Sequence, residues 1–397
     1  MKSLLNVYRT GRGPSSSHSI GPERAAADFL SRYPQADKFR IVLYGSLALT
    51  GKGHLTDEAI YSVLGRERTQ VEFDKTTRQD YPNTMDFYAL KGEKECGFLR
   101  YLSVGGGNIS VVGEEEREKE VYPFANFAEW RAFCDQKGVP LWAPVYEFEG
   151  EGIRGELRAV WHTMKTAIGR GLSHEGVLPG DLQVMRKAKK LFAPVEHEQP
   201  EEREKRLIAS YAFASAEENA CGGTVVTAPT CGACGVLPAV LYYLSEREGF
   251  SEDHIVDALA VAGMVGNVIK TNASVSGAEA GCQAEIGSAT AMAAAAVSAL
   301  FGATSEETEY AAEIALEHQL GLTCDPVHGY VQIPCIERNA VAALRALDSA
   351  AIAKILRGTR KISFDLIVET MYKTGRDLNE RYRETSEGGL AASYRVC

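Results

Sequence analysis

The sequence predicts an α+β N-terminal domain followed by a mainly α-helical domain. Three observations lead to this expectation. The chain has 397 residues, which is more than one typical domain contains. Patterns typical of β-strands are concentrated in the first 125 residues, and long helical patterns follow residue 150. We therefore predict an N-terminal domain at 1–127, a linker at 128–152 that contains Trp and Pro, and a helical domain with a C-terminal tail at 153–397.

The N-terminal domain is predicted from three segments. FRIVLYGSLAL (39–49) is apolar and rich in β-forming residues, as expected of a buried strand. PERAAADFLSRY (22–33) has its apolar residues at helical spacing. FLRYLSVGGGNISVVG (98–113) is typical of a strand, a glycine turn and a second strand. The charged run at 114–120 is expected to be a solvated loop or helix face.

Beyond residue 150 the helical patterns dominate. Six segments have this character: 156–172, 205–220, 254–270, 288–302, 309–322 and 337–356. The one candidate strand in this part is TVVTAP (224–229). We expect the second domain to be mainly α.

Composition excludes several classes of partner. The net charge is −10 and the pI is about 5.5, so neither nucleic acid nor an anionic membrane is expected to bind. The apolar runs are shorter than a membrane span, and the N-terminus resembles no signal peptide. These features predict a cytosolic protein, and a homodimer is expected because two-fold assemblies are commonest.

Nine cysteines in a reducing compartment need a reason other than disulfides. Seven of them lie after residue 220. Packing can account for any one of them, but the clustering favours metal or cluster ligation. The C-x2-C pair, Cys231 and Cys234, could be redox-active, could clip a metal, or could simply pack near a pocket.

Two polar loops before helices are candidate functional segments. GPSSSHSIGP (13–22) places Ser15, Ser16, Ser17 and His18 before a helix, where they can cap it or bind a small carboxylate. His54 lies in GKGHLTDEAI (51–60), where it is either a general acid or base or a structural loop residue. The neighbouring glycines lack the spacing of a phosphate-binding loop.

Three cysteines of the helical domain have polar surroundings. Cys282, Cys324 and Cys335 follow the pattern C-x41-C-x10-C, which fits no zinc-finger or ferredoxin ligand run. Glycine or proline and polar residues flank each of them, and Arg338 lies three residues after Cys335. Three thiolates beside a cation suit a cluster that also holds an anionic substrate.

These segments together resemble the iron–sulfur-dependent bacterial L-serine dehydratases (L-serine ammonia-lyases). The similar stretches span residues 13–340: GPSSSHSIGP, LYGSLALTGKGHLTD, SVGGG, AEENA, GGTVVTAPTCGACGVLPAVL, NASVSGAEAGCQAEIGSA, EIALEHQLGLTCDPV and VQIPCIERNA. A terminal cysteine, here Cys397, is also a feature of that family. The N-terminal domain of the family resembles an effector-binding domain.

The resemblance implies a [4Fe–4S] cluster and no pyridoxal phosphate. Cys282, Cys324 and Cys335 would bind three irons, and Cys397 would fold back to bind the fourth in the resting state. His54 is the expected general base, and Lys270 and Arg338 are expected partners of the substrate carboxylate or the cluster charge. The expected substrate-binding residues are Ser15, Ser16, Ser17, His18 and Asn272. His318 is either a core histidine or a catalytic one.

The implied reaction is deamination of L-serine to pyruvate and ammonia by α-proton abstraction and β-hydroxide elimination. An iron without a cysteine ligand would be a Lewis acid with an open position for the substrate. His328 and Tyr330 depart from the family's usual glycine and leucine, as do Cys231 and Cys234 from its small or polar residues. The same mechanism could act on L-threonine or L-cysteine, and a non-enzymatic iron–sulfur sensor is an alternative of another class.

Overall fold

The computed structural model describes residues 1–114 and 119–395 and confirms the predicted fold class. The strands are β1 Thr10–Arg12, β2 Lys38–Tyr44, β3 Thr69–Asp74, β4 Thr84–Lys91, β5 Lys94–Ser103, β6 Ile109–Val111 and β7 Thr224–Val226. The helices are α1 Gly21–Arg32, α2 Gly45–Thr50, α3 Thr56–Leu64, α4 Phe127–Lys137, α5 Ala143–Glu149, α6 Ile153–Ser173, α7 Ala188–Phe192, α8 Pro200–Ala220, α9 Val236–Glu248, α10 Glu252–Asn272, α11 Gly277–Ala280, α12 Ile286–Leu300, α13 Ser305–Glu317, α14 Cys335–Ile355, α15 Phe364–Asp377 and α16 Gly389–Ser393.

The N-terminal part is built on a five-stranded mixed sheet in the order β3-β2-β4-β5-β6. β2 pairs in parallel with β3, and every other pairing is antiparallel. The apolar face of α1 buries Phe29 against the sheet, where Phe87 and Tyr101 pack around it. The sequence patterns identified β2, β5 and β6 but not β3 and β4. β2 ends at Tyr44, so the second half of the segment expected to be a strand is α2.

The helical part surrounds two Ala-rich helices, α10 and α12. Residues 286–298 of α12 are buried on every face. Small side chains let neighbouring helices approach closely, so a helix without a polar face can lie at the centre of the bundle. No helix within residues 1–114 and 119–395 has the length and apolar character needed to cross a membrane.

The two parts are interlocked rather than merely adjacent. Residues 1–8 pack into the core of the helical part, where Leu4 and Val7 are fully buried. β1 pairs antiparallel with β7, which lies more than 200 positions later. The stretch 128–152, expected to be a linker, contains α5 and most of α4, and its Trp130 is buried in the same core. This interlocking brings the loops before α1 and α3 against the cysteine-bearing segments.

Candidate active site

A narrow cavity lies where the N-terminal loops meet the cysteine-bearing segments. Five residues singled out from the sequence line it, namely Ser15, His54, Cys282, Cys324 and Cys335. The other lining residues are Pro14, Gly232, Glu285, Ile286, Pro326, Val331 and Glu384. Residues that are far apart in the chain thus converge on one enclosed space.

Three separate segments supply the cysteines. Cys282 begins a single turn of 3-10 helix directly before α12, Cys324 lies in the loop after α13, and Cys335 is the first residue of α14. Gly281 precedes Cys282 with φ of 74°, and a Cβ atom there would lie 2.9 Å from the carbonyl oxygen of Leu322. Glycine is therefore required for the turn that presents Cys282.

The three thiols differ in acidity. A hydrogen bond from Cys324, together with the positive charge of Arg338, lowers the pKa of Cys282 to about 6 despite its burial. The pKa of Cys324 is raised, first because it donates that hydrogen bond and then by burial, and burial raises the pKa of Cys335. Cys282 is thus the most acidic of the three thiols.

Arg338 lies beside the cysteines. Its guanidinium donates to the carbonyl oxygen of Thr323 at 2.7 Å and to Oδ1 of Asp325 at 3.0 Å. These contacts fix the cation next to the loop that carries Cys324. Within the described part of the chain, no three His, Cys, Asp or Glu side chains stand close enough to bind one metal ion together.

His54 is buried with its ring held in a defined orientation. Nδ1 lies 3.0 Å from the carbonyl oxygen of Thr50. A carbonyl only accepts, so Nδ1 carries the proton and the lone pair is on Nε2. Burial lowers the pKa of His54 to about 4, which leaves the imidazole neutral at pH 7. Nε2 therefore has the properties of a general base, and it lies 3.7 Å from Oε1 of Glu384.

His18 stacks on His54, with ring centroids 4.5 Å apart, but its two nitrogens are engaged. The Ser46 hydroxyl donates to the Glu384 carbonyl at 2.6 Å, so His18 Nε2 must donate to Ser46 Oγ at 3.0 Å. Nδ1 then accepts from Ser17 Oγ at 2.8 Å. With its lone pair occupied, His18 supports His54 rather than replacing it.

The serines before α1 build the loop that carries His18. Ser15 Oγ accepts from the His18 backbone amide at 3.2 Å and caps the π-helical turn Ser16–Ile20. Ser15 alone of the three serines lines the cavity, while Ser16 and Ser17 are buried behind it. A Cβ on Gly13 would lie 2.3 Å from the Asn219 carbonyl oxygen, so only glycine allows this loop to approach the helical part so closely.

Two residues lining the cavity were not singled out from the sequence, Glu285 and Glu384. Glu285 Oε2 lies 3.8 Å from Cys324 Sγ, and burial raises the pKa of Glu285 to about 8. Burial also raises the pKa of Glu384, and the charges of Glu285 and Cys282 add to the effect. Glu285 lies in one of the stretches that resemble the family, whereas no local motif marks Glu384, which only the tertiary fold buries at this place.

The structure does not bring every expected site residue to this cavity. Lys270 Nζ donates to the Asn6 carbonyl oxygen at 2.9 Å, and Asn272 donates to the Ala125 carbonyl oxygen at 2.8 Å. Both lie at the C-terminal end of α10 and neither lines the cavity. His318 and His328 are exposed on the surface. Cys397 lies outside the described residues.

The C-x2-C pair lies in an apolar cluster. Cys231 and Cys234 pack with Ile20, Ala167 and Val225. Burial raises the pKa of both thiols. A protonated thiol is a poor ligand and a poor nucleophile, so these surroundings favour the packing interpretation of the pair.

Comparison with known proteins covers almost the whole chain. The family model described as serine dehydratase alpha chain matches residues 68–391, and the one described as serine dehydratase beta chain matches residues 3–79. L-serine dehydratase 1 of Escherichia coli (strain K12) is 39% identical over 457 residues, which cover 98% of this chain and 99% of that protein.

Two other relatives agree with this result. L-serine dehydratase of Streptomyces coelicolor is 38% identical, over 100% of this chain and 99% of that protein. L-serine dehydratase of Haemophilus influenzae is 37% identical, over the full length of both. The alignments are longer than 397 residues, so these relatives contain insertions that this chain lacks.

Proposed function

Since this chain belongs to the serine dehydratase family, we propose that it converts L-serine to pyruvate and ammonia. One observation carries the proposal. The neutral imidazole of His54 and the thiols of Cys282, Cys324 and Cys335 line the same enclosed cavity. The cavity thus combines a general base with a set of ligands for a metal cluster.

We propose a [4Fe–4S] cluster as the cofactor, held by Cys282, Cys324 and Cys335. The donor set fits such a cluster, because three thiols come together beside the Arg338 guanidinium, which favours thiolates. Thiols that bind separate irons need not share one ion, which agrees with the lack of a single-ion site in the described residues. When bound, the cluster would supply a Lewis acid for the carboxylate and hydroxyl oxygens of the substrate.

His54 is the proposed base. The hydrogen bond from Nδ1 to Thr50 fixes the tautomer and directs the Nε2 lone pair, and burial keeps that lone pair available at neutral pH. Nε2 would take the α-proton of the substrate. His18 stacks against one face of the ring and limits its rotation.

Ser15 and Arg338 are the other proposed participants at the cavity. Ser15 lines it, and Arg338 provides positive charge next to the cysteines. Ser16, Ser17 and His18 would act by holding the loop in place. Lys270 and Asn272 could act only from outside the cavity, so we assign them no contact with the substrate.

The C-terminal tail is a proposed cover of the cavity. Ser386 Oγ donates to the Pro326 carbonyl oxygen and the Leu390 amide donates to Asp325 Oδ2, each at 2.6 Å. The tail therefore packs on the loop that carries Cys324, which supports the proposal that Cys397 reaches the cluster. A homodimer in a reducing cytosol is proposed as the setting.

The experiment is a product assay with three amino acids. The protein is reconstituted anaerobically with iron and sulfide and is then supplied with L-serine, L-threonine or L-cysteine. We expect pyruvate and ammonia from L-serine at the highest kcat/KM. Faster release of 2-oxobutanoate from L-threonine, or of sulfide from L-cysteine, would reassign the substrate, and no turnover of any of the three would favour the sensor alternative.

A further inference from the structure

Glu384 is a buried acidic residue that lines the cavity, and the proposed reaction assigns it no role. It lies in the segment between α15 and α16, and only 4% of its surface is exposed. Its φ is 60°, in the left-handed region that residues other than glycine rarely adopt. Such strain persists only where the surrounding structure holds it, and it is commonest at functional sites.

Two backbone hydrogen bonds hold Glu384 in this conformation. Its amide donates to the Cys324 carbonyl oxygen at 2.8 Å, and its carbonyl accepts from Ser46 Oγ at 2.6 Å. The residue is thus tied to the cysteine loop on one side and to α2 on the other. Its side chain lines the cavity.

The carboxylate is incompletely satisfied. Oε1 lies 3.5 Å from His18 Nδ1 and 3.7 Å from His54 Nε2. Oε2 is buried and has no donor with good hydrogen-bond geometry among the residues that the structure describes, although the Ala278 amide is close enough to offset part of the rise that burial causes in the pKa of the Glu384 carboxyl. A buried carboxylate oxygen without a donor is costly, so its presence in a cavity points to a donor that arrives with a ligand.

The cationic side chain nearest the cysteines does not fill this role, because the Arg338 guanidinium is directed to Thr323 and Asp325. In the proposed reaction the cluster would bind the carboxylate and hydroxyl oxygens of L-serine, and His54 would take its α-proton. The positively charged α-ammonium group is left without a partner. We propose that Glu384 binds the α-ammonium group of the substrate. This inference rests on the proposed function and adds the residue that selects α-amino acids.

The position of Glu384 also suits the chemistry. The ammonium nitrogen and the α-hydrogen are attached to the same carbon. An ammonium held at the Glu384 carboxylate, which lies 3.7 Å from His54 Nε2, would bring the α-hydrogen close to the base. Orientation of this kind is a substantial part of catalysis.

Glu285 is the other acid in the cavity, and it fits the role less well. Its Oε2 lies 3.8 Å from Cys324 Sγ, and a Cβ on Gly277 would lie 2.6 Å from the same oxygen. That oxygen is therefore enclosed by the protein. Glu384 Oε2, by contrast, is a buried carboxylate oxygen of the cavity without a well-placed donor.

The test compares two ligands that differ in the ammonium group, L-serine and 3-hydroxypropanoate. Glu384→Gln is introduced into reconstituted His54→Ala protein, where turnover is slow, and both dissociation constants are measured by calorimetry and by the visible absorbance of the cluster. We expect L-serine to bind about 10- to 100-fold more weakly, as for a lost charge-assisted hydrogen bond. Binding of 3-hydroxypropanoate should change less than about threefold.

Glu380→Gln is the matched control, because it removes an exposed carboxylate of the same segment, which pairs with Arg78. It should leave both constants unchanged. Equal weakening of both ligands by Glu384→Gln would overturn the inference and assign Glu384 a structural role. Unchanged L-serine binding would overturn it as well.

A second variant covers the case in which Glu384→Gln does not fold. Glu384→Asp keeps the charge, so it should retain most of the preference for L-serine over 3-hydroxypropanoate, and loss of that preference would contradict the inference. The pyruvate assay on protein with His54 intact separates the two proposals. If that protein makes pyruvate from L-serine while Glu384→Gln keeps its ligand preference, this inference fails and the proposed function stands.

Discussion

The helical part contains two groups of cysteines in different surroundings. Cys282, Cys324 and Cys335, the site cysteines, face Arg338, Glu285 and Glu384 across a cavity. Cys231 and Cys234, the paired cysteines, pack among aliphatic side chains. The pKa of Cys282 is lowered to about 6, whereas the pKa values of the other two site cysteines and of both paired cysteines are raised.

The comparison shows that the surroundings of a cysteine, more than its spacing in sequence, identify it as a candidate ligand. The paired cysteines have the spacing C-x2-C, which is common in metal sites. The site cysteines have the spacing C-x41-C-x10-C, which fits no zinc-finger or ferredoxin ligand pattern. A thiolate nevertheless needs a nearby positive charge or a metal, and the site cysteines have Arg338 beside them whereas the paired cysteines pack in an apolar cluster. The following predictions test this difference.

The largest expected effect is on iron content. Cys324→Ala should abolish cluster binding and activity, because it removes one of three ligands. Cys231→Ala is the matched control: it removes the same atom from an apolar site and should cost about 1 kcal/mol of stability while keeping the iron. Iron analysis after reconstitution is the measurement. Equal iron loss in both variants would mean that the paired cysteines also belong to the metal site.

The second prediction concerns the base beside the site cysteines. His54→Ala should lower kcat by about 10²- to 10⁴-fold while the visible absorbance of the cluster remains. His328→Ala removes an exposed histidine near Asp181 and should change kcat by less than a factor of about two. A loss below about tenfold in His54→Ala would exclude His54 as the base and direct attention to His18.

Burial of His54 should also appear in the pH dependence of stability of the iron-free protein. The pKa of His54 is about 4 when folded and 6.5 ordinarily, so between these values the unfolded chain binds the proton more readily. Stability should therefore fall as the pH decreases from 7 to 4, by about 3 kcal/mol from this residue. Urea unfolding should show a smaller decrease for His54→Gln, with His318→Gln as the exposed control. Identical pH dependence in wild type and His54→Gln would contradict the burial of a neutral imidazole.

The smallest expected effect concerns the tail. Removal of Cys397 should preserve turnover, shorten any lag before steady state, and make the resting cluster more sensitive to oxygen. The reason is that Cys397 is proposed to bind the fourth iron only in the resting state. Its removal would expose the resting cluster and would remove a ligand that the substrate has to displace. Stopped-flow progress curves and absorbance decay in air are the measurements, and Cys96→Ala, which removes an exposed thiol elsewhere, is the control. An unchanged lag and decay rate would leave Cys397 without a role.

The sequence predicted the fold class because strand and helix patterns occupy different halves of the chain. It did not predict that residues 1–8 enter the core of the helical part or that β1 pairs with β7, since such long-range contacts leave no local pattern. The stretch 128–152 contains proline and tryptophan, and this composition does not distinguish a linker from packed helices. Only its packing shows that it forms α4 and α5 within the helical core.

The predicted site residues that line the cavity lie next to glycine or proline breaks in the sequence. Ser15, His54 and the site cysteines all lie at such breaks, and all line the cavity. Lys270 and Asn272 were expected there from the family resemblance, but they lie at the C-terminal end of α10 and do not line the cavity. Glu384 was not predicted, because no local pattern marks it and only the fold buries it.

The dependence of activity on a cluster at the site cysteines is the central claim, and an oxygen cycle tests it most directly. The anaerobically reconstituted protein is assayed for pyruvate from L-serine, exposed to air until its visible absorbance fades, and assayed again after iron(II) and a reductant are added without oxygen. We predict that activity and absorbance disappear together and return together. Full activity of the colourless, iron-free protein, or activity that requires pyridoxal phosphate, would contradict the account.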